Sequence, residues 1–133
     1  MDKETLTKLL QRIFRGGLHR LPKKQSERLA LLALSLLPLD PEGIFDQAEI
    51  DAHISTWLNN LSGFDGVIDH VTWRRALVDY GFLRRATDGA IYRIRRETLD
   101  EALTAEARTV DAQAIFVEVE LARDERKEKF GKS

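Results

Sequence analysis

The sequence predicts a mainly helical α+β protein with one small β-hairpin. Three observations predict this class: apolar residues recur at helical spacing from Leu6 to Leu77, Gly81 ends the last of these helices, and the pattern then changes to one typical of strands. Between the two strand-like runs lies Asp88-Gly89, a strong local signal for a tight hairpin turn. The apolar fraction of 43% is enough for a packed core.

Two helices are predicted before residue 40. The first covers residues 4–14 and ends at Gly16-Gly17. Its apolar stripe consists of Leu6, Leu9, Leu10, Ile13 and Phe14. The second begins near Pro22, because proline is tolerated in the first helical turn, and ends before Pro38. The leucines of this second helix are distributed around much of its circumference, which predicts that the helix lies at the centre of the core.

Two more helices are predicted in the middle of the chain. Asp46 and Glu49 have the spacing of a capping box, which predicts the start of the third helix. The apolar face of this helix is Ile50, Ile54, Trp57, Leu58 and Leu61. The fourth helix begins near Asp69 and ends at Gly81. Residues 62–66 are predicted as a loop, and the whole connection between the two helices, counted as 59–68, is longer than the ~3–4 residues of a helix-turn-helix turn.

Residues 82–95 are predicted to form a two-stranded antiparallel hairpin packed beside the fourth helix. The chain is predicted to be helical again from Glu97, with a break near residues 104–109. The apolar stripe of the final helix is predicted as Val110, Ala114, Val117 and Leu121. The charged segment from Arg123 onward is predicted to be frayed or disordered. The sequence thus divides into an N-terminal helix (1–16), a central domain (17–96) and a C-terminal helical extension with a charged tail (97–133).

This order of elements is that of a winged helix-turn-helix, in which a hairpin follows the recognition helix. The fourth helix would then enter the major groove of DNA, and the hairpin would become a wing lying along the phosphates. Residues 69–83, DHVTWRRALVDYGFL, resemble the recognition helix and strand of ArsR-type repressors. Those proteins also end this helix with a glycine, two apolar residues and an arginine-rich wing.

A wider set of motifs resembles the bacterial family known as domain of unknown function 2087, over residues 17–95. The motifs are Leu21-Pro22-Lys23-Lys24 with Arg28, Ala48-Glu49-Ile50, the run from Val71 to Leu83, Asp88-Gly89 and Tyr92-Arg93. This family sometimes occurs fused behind an ArsR-type DNA-binding domain, so the resemblance implies a regulatory setting. Such a fused module would either bind DNA itself or act as a sensor or as a surface for a partner.

Charge is unevenly distributed along the chain, although the total is only −1. Residues 1–37 carry eight Lys and Arg against three acids, and residues 67–96 carry seven Arg against three Asp. Residues 38–66 carry six acids and no base, and residues 97–133 carry ten acids against six bases. Binding depends on the local field, so the basic segments are candidate nucleic-acid contacts. The alternative is that the blocks neutralise one another within the fold.

The candidate DNA-contacting residues are Thr72, Arg74, Arg75, Arg84, Arg85, Arg93 and Arg95. On a helical wheel, Thr72 and Arg75 point away from Trp73 and the other apolar residues Ala76, Leu77 and Tyr80, and Arg74 lies at the boundary. Arginine can contact guanine edges in a bidentate manner, and its planar fork matches phosphate. The alternatives are an Arg75–Asp79 ion pair, an ion pair from Arg74 to Glu49 or Asp51, and a hairpin edge protected by charge.

No catalytic residue, metal site or cofactor is predicted. The chain has no cysteine, and His19, His53 and His70 lie in three separate elements without metal-ligand spacing. Glycine-rich phosphate loops and nucleophile motifs are absent from the sequence. The start MDKETLTKLL has no apolar signal core, and the apolar run Leu29–Leu39 is about half of the ~20 residues that cross a membrane. We therefore expect a cytoplasmic protein that is not an enzyme and has no membrane association.

Two functions follow as hypotheses. The first is a DNA-binding transcriptional regulator domain, whose partner is double-stranded DNA. The second is a non-catalytic interaction module that keeps the winged-helix shape without binding DNA. The two apolar stripes of the terminal helices predict a homodimer, because a two-fold axis gives contacts to two half-sites. Packing of the two stripes against each other within one chain is the alternative.

Overall fold

The computed structural model describes residues 1–62 and 68–131, and these form six α-helices, a short 3₁₀ helix and a three-stranded antiparallel sheet. The elements are α1 (Lys3–Gly16), α2 (Gln25–Leu36), β1 (Ile44–Asp46), α3 (Gln47–Ser62), α4 (His70–Asp79), β2 (Leu83–Arg85), β3 (Ile91–Ile94), α5 (Arg96–Ala102), the 3₁₀ helix Ala107–Thr109 and α6 (Ala112–Gly131). The predicted α+β class with a small hairpin is confirmed.

Short polar side chains fix the starts of three helices. Asp46 and Glu49 form the predicted capping box at α3, with each carboxylate accepting the other residue's backbone N–H at 2.8 and 3.1 Å. The carboxylate of Asp69 accepts the N–H of Val71 at 2.8 Å and caps α4. The carboxylate of Asp2 caps α1 by accepting the N–H of Thr5 at 2.8 Å.

The predicted hairpin is confirmed, and it has a third strand that the sequence analysis missed. The strand order is β1-β3-β2, so β3 lies in the centre of the sheet. The turn contains Asp88, whose carboxylate accepts the N–H of Ala90 at 3.0 Å, and Gly89, whose φ of +73° favours glycine. β1 has only three residues and pairs with β3, so that Ile44 lies opposite Arg93.

A polar link crosses the core and connects α2, α3 and α4. The buried hydroxyl of Ser35 accepts a hydrogen bond from the Trp73 indole at 3.1 Å and donates one to the carbonyl of Leu32 at 2.7 Å. The backbone carbonyl of Ser35 lies 2.6 Å from Nε2 of His53. Because a buried polar group without a partner is unfavourable, these bonds specify how the three helices pack. The predicted core position of Trp73 is confirmed.

The two terminal helices pack against each other within one chain, which is one of the two arrangements left open above. The five apolar residues of the predicted α1 stripe are all buried. Phe14 of α1 meets Phe116 of α6 edge to face, with ring centroids 5.2 Å apart. The guanidinium of Arg123 donates to the carbonyls of Phe14 and Arg15, both at 3.1 Å, and satisfies the end of α1.

The predicted face of α6 is wrong. The helix buries Ile115 and Val119, whereas Val117 and Leu121 are 45% and 58% exposed. Eight of the eleven residues from 112 to 122 are apolar, so periodicity alone does not identify the buried face. The tail predicted to be frayed is also helical as far as Gly131. Residues 132–133 lie outside the described part of the chain.

Two smaller predictions near α4 need correction. Residues 59–62, counted in the long connection between the helices, belong to α3, and residues 63–67, which include most of the predicted loop 62–66, lie outside the described residues. Tyr80, predicted to share the apolar face of α4, is 38% exposed and lies under the guanidinium of Arg28, 4.9 Å from its ring centroid. Across the described residues, no helix has the length and hydropathy needed to span a membrane.

Candidate nucleic-acid interface

Helix α4 has one face in the core and one face in solvent. Trp73, Ala76 and Leu77 are buried, and Thr72 and Arg75 are exposed, as the helical wheel predicts. The buried face holds the helix against α3 and the sheet. The exposed side chains are therefore available to a partner. Thr72 offers a hydroxyl and Arg75 a guanidinium, and both groups form hydrogen bonds with base edges.

Arg74 has an internal role. Its guanidinium donates to the carboxylate of Asp51 on α3, and the side chain of Arg74 is 14% exposed. This is one of the two ion pairs left open for Arg74 in the sequence analysis. The ion pair fastens α4 to α3 and leaves Arg74 less accessible than its neighbour Arg75.

Arg75 and Arg85 face a common depression between α4 and the hairpin. The depression has a volume of about 270 Å³ and is lined by Gln47, Arg74, Arg75, Val78, Asp79, Arg85 and Tyr92. Within the part of the chain that the structure describes, Arg75 forms no salt bridge with Asp79 or with any other carboxylate. The alternative Arg75–Asp79 pair is therefore not formed, although Asp79 remains the one carboxylate lining this depression.

The hairpin turn positions Arg85 closely. A Cβ atom built on Gly89 would lie 2.5 Å from Nη2 and 3.1 Å from Cζ of Arg85, so the guanidinium rests on the bare backbone of this glycine. Gly89 thus provides both the left-handed turn and the space that Arg85 occupies. The sequence signal for the turn is also the signal for this arginine's position.

Arg84 and Arg93 lie on the opposite face of the sheet. Arg84 is directly opposite Arg93 in the β2–β3 register, and Arg85 is opposite the buried Tyr92. Successive side chains of a strand point to opposite faces, so Arg84 and Arg85 belong to different surfaces. The hairpin therefore presents arginine on both of its sides.

The last two arginines of the basic segment lie at the base of the hairpin, away from its turn. The N–H of Arg95 donates to the carbonyl of Phe82 at 2.9 Å, and the Arg95 side chain is exposed. Arg96, by contrast, forms a salt bridge of 2.8 Å with Glu42.

Five of the seven arginines in residues 67–96 thus have no carboxylate partner among the described residues. They are Arg75, Arg84, Arg85, Arg93 and Arg95, and all five are exposed. Sequence analysis named Asp51 only as one possible partner of Arg74 and gave no partner for Arg96, because Asp51 and Glu42 are distant from these arginines in the chain. It also missed Gln47, which lines the depression only because β1 places it beside the hairpin.

The described residues contain no group of three or more His, Asp or Glu side chains that could hold a metal ion. One comparison with known proteins gives a match: a family model described as "Uncharacterized protein conserved in bacteria (DUF2087)" matches residues 17–94. No curated protein and no solved structure matches the chain.

Proposed function

The chain belongs to the bacterial family DUF2087, and from its geometry we propose that it is a DNA-binding regulator domain of the winged-helix type. The observation that carries this proposal is a set of five exposed arginines on α4, the hairpin and its base that have no carboxylate partner among the described residues. The N–H donors of a guanidinium group lie in one plane in a geometry that matches phosphate oxygens. Contacts that neutralise DNA phosphates contribute most of the affinity of a protein for DNA.

The order of elements supports the same proposal. The helix pair α3–α4 is followed at once by the β2–β3 hairpin, as in the winged-helix resemblance noted above. In this proposal Thr72 and Arg75 approach bases in the major groove. The hairpin arginines Arg84, Arg85, Arg93 and Arg95 contact phosphates. Arg74 orients α4 through Asp51 and does not touch DNA.

A second candidate function, a protein-interaction module, is favoured by two observations. Asp79 lines the depression that holds Arg75 and Arg85, and a carboxylate there repels phosphate. Ile44 is 53% exposed on the sheet face beside Arg93, where an apolar side chain suits a protein partner better than a phosphate. These two residues define what a DNA complex must accommodate.

The homodimer stays a prediction. Because α1 buries its apolar stripe inside the chain, a dimer through the terminal helices would use the exposed side chains of α6, chiefly Val117 and Leu121. Two copies would supply contacts to two half-sites of a symmetric operator.

A salt titration of DNA binding tests the proposed function. Fluorescence polarisation with a random-sequence duplex between ~50 and ~200 mM salt gives the log–log slope, which is about 0.9 per neutralised phosphate. Replacing both Arg84 and Arg85 with alanine should reduce the slope by about 1.8, since each arginine serves a different phosphate. Arg75→Ala should mainly reduce the difference in affinity between duplexes of different DNA sequence.

The matched control is Arg126→Ala, which removes an exposed arginine from α6 and leaves the hairpin intact. Its slope should equal that of the unmutated protein. Absence of binding by the unmutated protein at ~50 mM salt rejects DNA binding in favour of the interaction module. An equal loss of slope in Arg126→Ala rejects the hairpin as the contact surface.

A further inference from the structure

Two arginines stand directly opposite each other on the exposed face of the sheet. Arg84 of β2 and Arg93 of β3 are register partners, and both side chains are exposed. Like charges directly opposite each other on neighbouring antiparallel strands are destabilising. No described carboxylate forms a salt bridge with either arginine. Within the described part of the chain, this repulsive pair is thus left without a neutralising salt bridge.

Among the described residues, no other group on this face forms a salt bridge with either arginine. Ile44 of β1 lies opposite Arg93 on its second side, and Asp46 lies two register pairs along, opposite Ile91. Asp46 is the nearest acid by register, but its carboxylate accepts the N–H of Glu49 at 2.8 Å in the α3 capping box. The capping role directs this carboxylate toward α3.

The two arginines also border a concave surface. A depression of about 270 Å³ is lined by two arginines and two apolar residues, namely Arg84, Ala86, Ile91 and Arg93. This depression is distinct from the one lined by Arg75 and Arg85, because Arg84 and Arg85 point to opposite faces of the sheet.

We propose that Arg84 and Arg93 together form a site for one phosphate group on the exposed face of the sheet. A bound phosphate would receive charge-assisted hydrogen bonds from both guanidinium groups and would remove their mutual repulsion. Binding at this site is therefore linked to folding stability, because the anion interacts with an arrangement that exists only in the folded protein. Where the phosphate belongs to DNA, this inference rests on the proposed function.

Phosphate of two sources fits this chemistry, namely the phosphodiester of a nucleic acid and a small free phosphate. The first arm of the experiment uses inorganic phosphate and measures the thermal unfolding midpoint, with chloride at equal ionic strength as reference. The variants are Arg84→Gln and Arg93→Gln, with Arg126→Gln, at an exposed arginine of α6, as the matched control.

In chloride at low ionic strength, Arg84→Gln and Arg93→Gln should each raise the midpoint by about 1–4 °C, because each relieves the repulsion. Phosphate should raise the midpoint of the unmutated protein and of Arg126→Gln, and this rise should be absent in Arg84→Gln and Arg93→Gln. An equal rise with phosphate in all four proteins overturns the site. A lower midpoint of Arg93→Gln in chloride overturns the repulsion.

The second arm measures the salt dependence of DNA binding. Two arginines that share one phosphate act as a unit. The double variant that carries both Arg84→Gln and Arg93→Gln should therefore lose about 0.9 from the log–log slope, which is no more than either single variant loses. Combining Arg93→Gln with Arg85→Gln should reduce the slope by about 1.8. A fall of about 1.8 from the first double variant contradicts a shared phosphate.

The two arms separate this site from the proposed function. If phosphate stabilises the protein through Arg84 and Arg93 but no duplex binds, the site stands as one for small phosphates and DNA binding fails. If duplex binds with the expected slope but phosphate has no effect on the unfolding midpoint, DNA binding stands and the shared site fails.

Discussion

The α1–α6 pair and the α4–hairpin unit differ in how many of their arginines have partners within the fold. In the first region, Arg12 pairs with Glu27 and Arg123 donates to the last carbonyls of α1, while Arg15 and Arg126 are exposed and form no described salt bridge. In the second region, Arg75, Arg85 and their three unpaired companions face solvent without a described carboxylate partner. The basic block 1–37 has a larger excess of positive charge than the block 67–96. The candidate interface is therefore identified by which arginines lack partners within the described fold, and not by the net charge of a segment.

The largest expected effect tests the structural half of this comparison. Phe14→Ala removes the ring that packs on Phe116 and leaves a cavity between α1 and α6, so it should reduce the free energy of unfolding by about 3–5 kcal/mol. Urea denaturation gives this value. Leu121→Ala, at a site 58% exposed on the same α6, is the control and should change it by less than about 0.5 kcal/mol.

Similar losses for Phe14→Ala and Leu121→Ala would contradict the packing of α6 described here. While Phe14→Ala remains folded, the salt dependence of its DNA binding should equal that of the unmutated protein, because the terminal pair lies outside the proposed interface.

An intermediate effect is expected within α4 itself, where two adjacent arginines belong to the two halves of the comparison. Arg74→Ala leaves the half-buried carboxylate of Asp51 without its partner and should reduce the free energy of unfolding by about 1–3 kcal/mol. Arg75→Ala should change it by less than about 0.5 kcal/mol, because its side chain is exposed and forms no described salt bridge. Equal stability of the two variants would remove the distinction between a structural and an available arginine.

The smallest expected effect concerns pH and the start of α1. Hydrogen bonds from the side chain and the backbone N–H of Thr5 lower the pKa of Asp2 below its ordinary value of 3.8. Because the pKa of Asp2 is lower in the folded than in the unfolded protein, the ionised carboxylate stabilises the folded protein above pH 3.8. This stabilisation is lost as the pH falls through the folded-state pKa. Asp2→Asn keeps a capping oxygen but does not titrate.

The thermal unfolding midpoint should therefore fall less on acidification in Asp2→Asn than in the unmutated protein. The comparison needs one pH near neutrality and one below the ordinary pKa of the carboxyl group. An identical fall in both proteins would show that the Asp2 cap contributes nothing to the pH dependence.

The sequence predicted those parts of the fold that local chemistry determines. The hairpin turn at Asp88-Gly89, the capping box at Asp46 and the stop at Gly81 each depend on residues close together in the chain. The strand β1 could not be predicted in this way. It has three residues without alternation, and its hydrogen bonds go to β3, more than forty residues later.

The candidate site shows the same limit. The exposed face of α4 follows from helical periodicity, so Thr72 and Arg75 were placed correctly. Whether a boundary residue such as Arg74 contacts a partner or an internal acid depends on tertiary packing, and the sequence left Glu49 and Asp51 equally possible. The face of α6 was mispredicted for another reason, because its dense apolar sequence lacks a unique stripe.

The two tryptophans of the chain lie side by side, and this placement determines what light can report about the protein. Trp57 and Trp73 have ring centroids 5.4 Å apart, and the Trp73 indole is hydrogen-bonded to Ser35. Intrinsic fluorescence and the near-ultraviolet circular dichroism of the indoles therefore come from one place, the junction of α3 and α4. A ligand that binds the hairpin changes these signals only if it moves α4 against α3. An unchanged indole spectrum on binding would identify a rigid platform, and a changed one would identify α4 as the moving part.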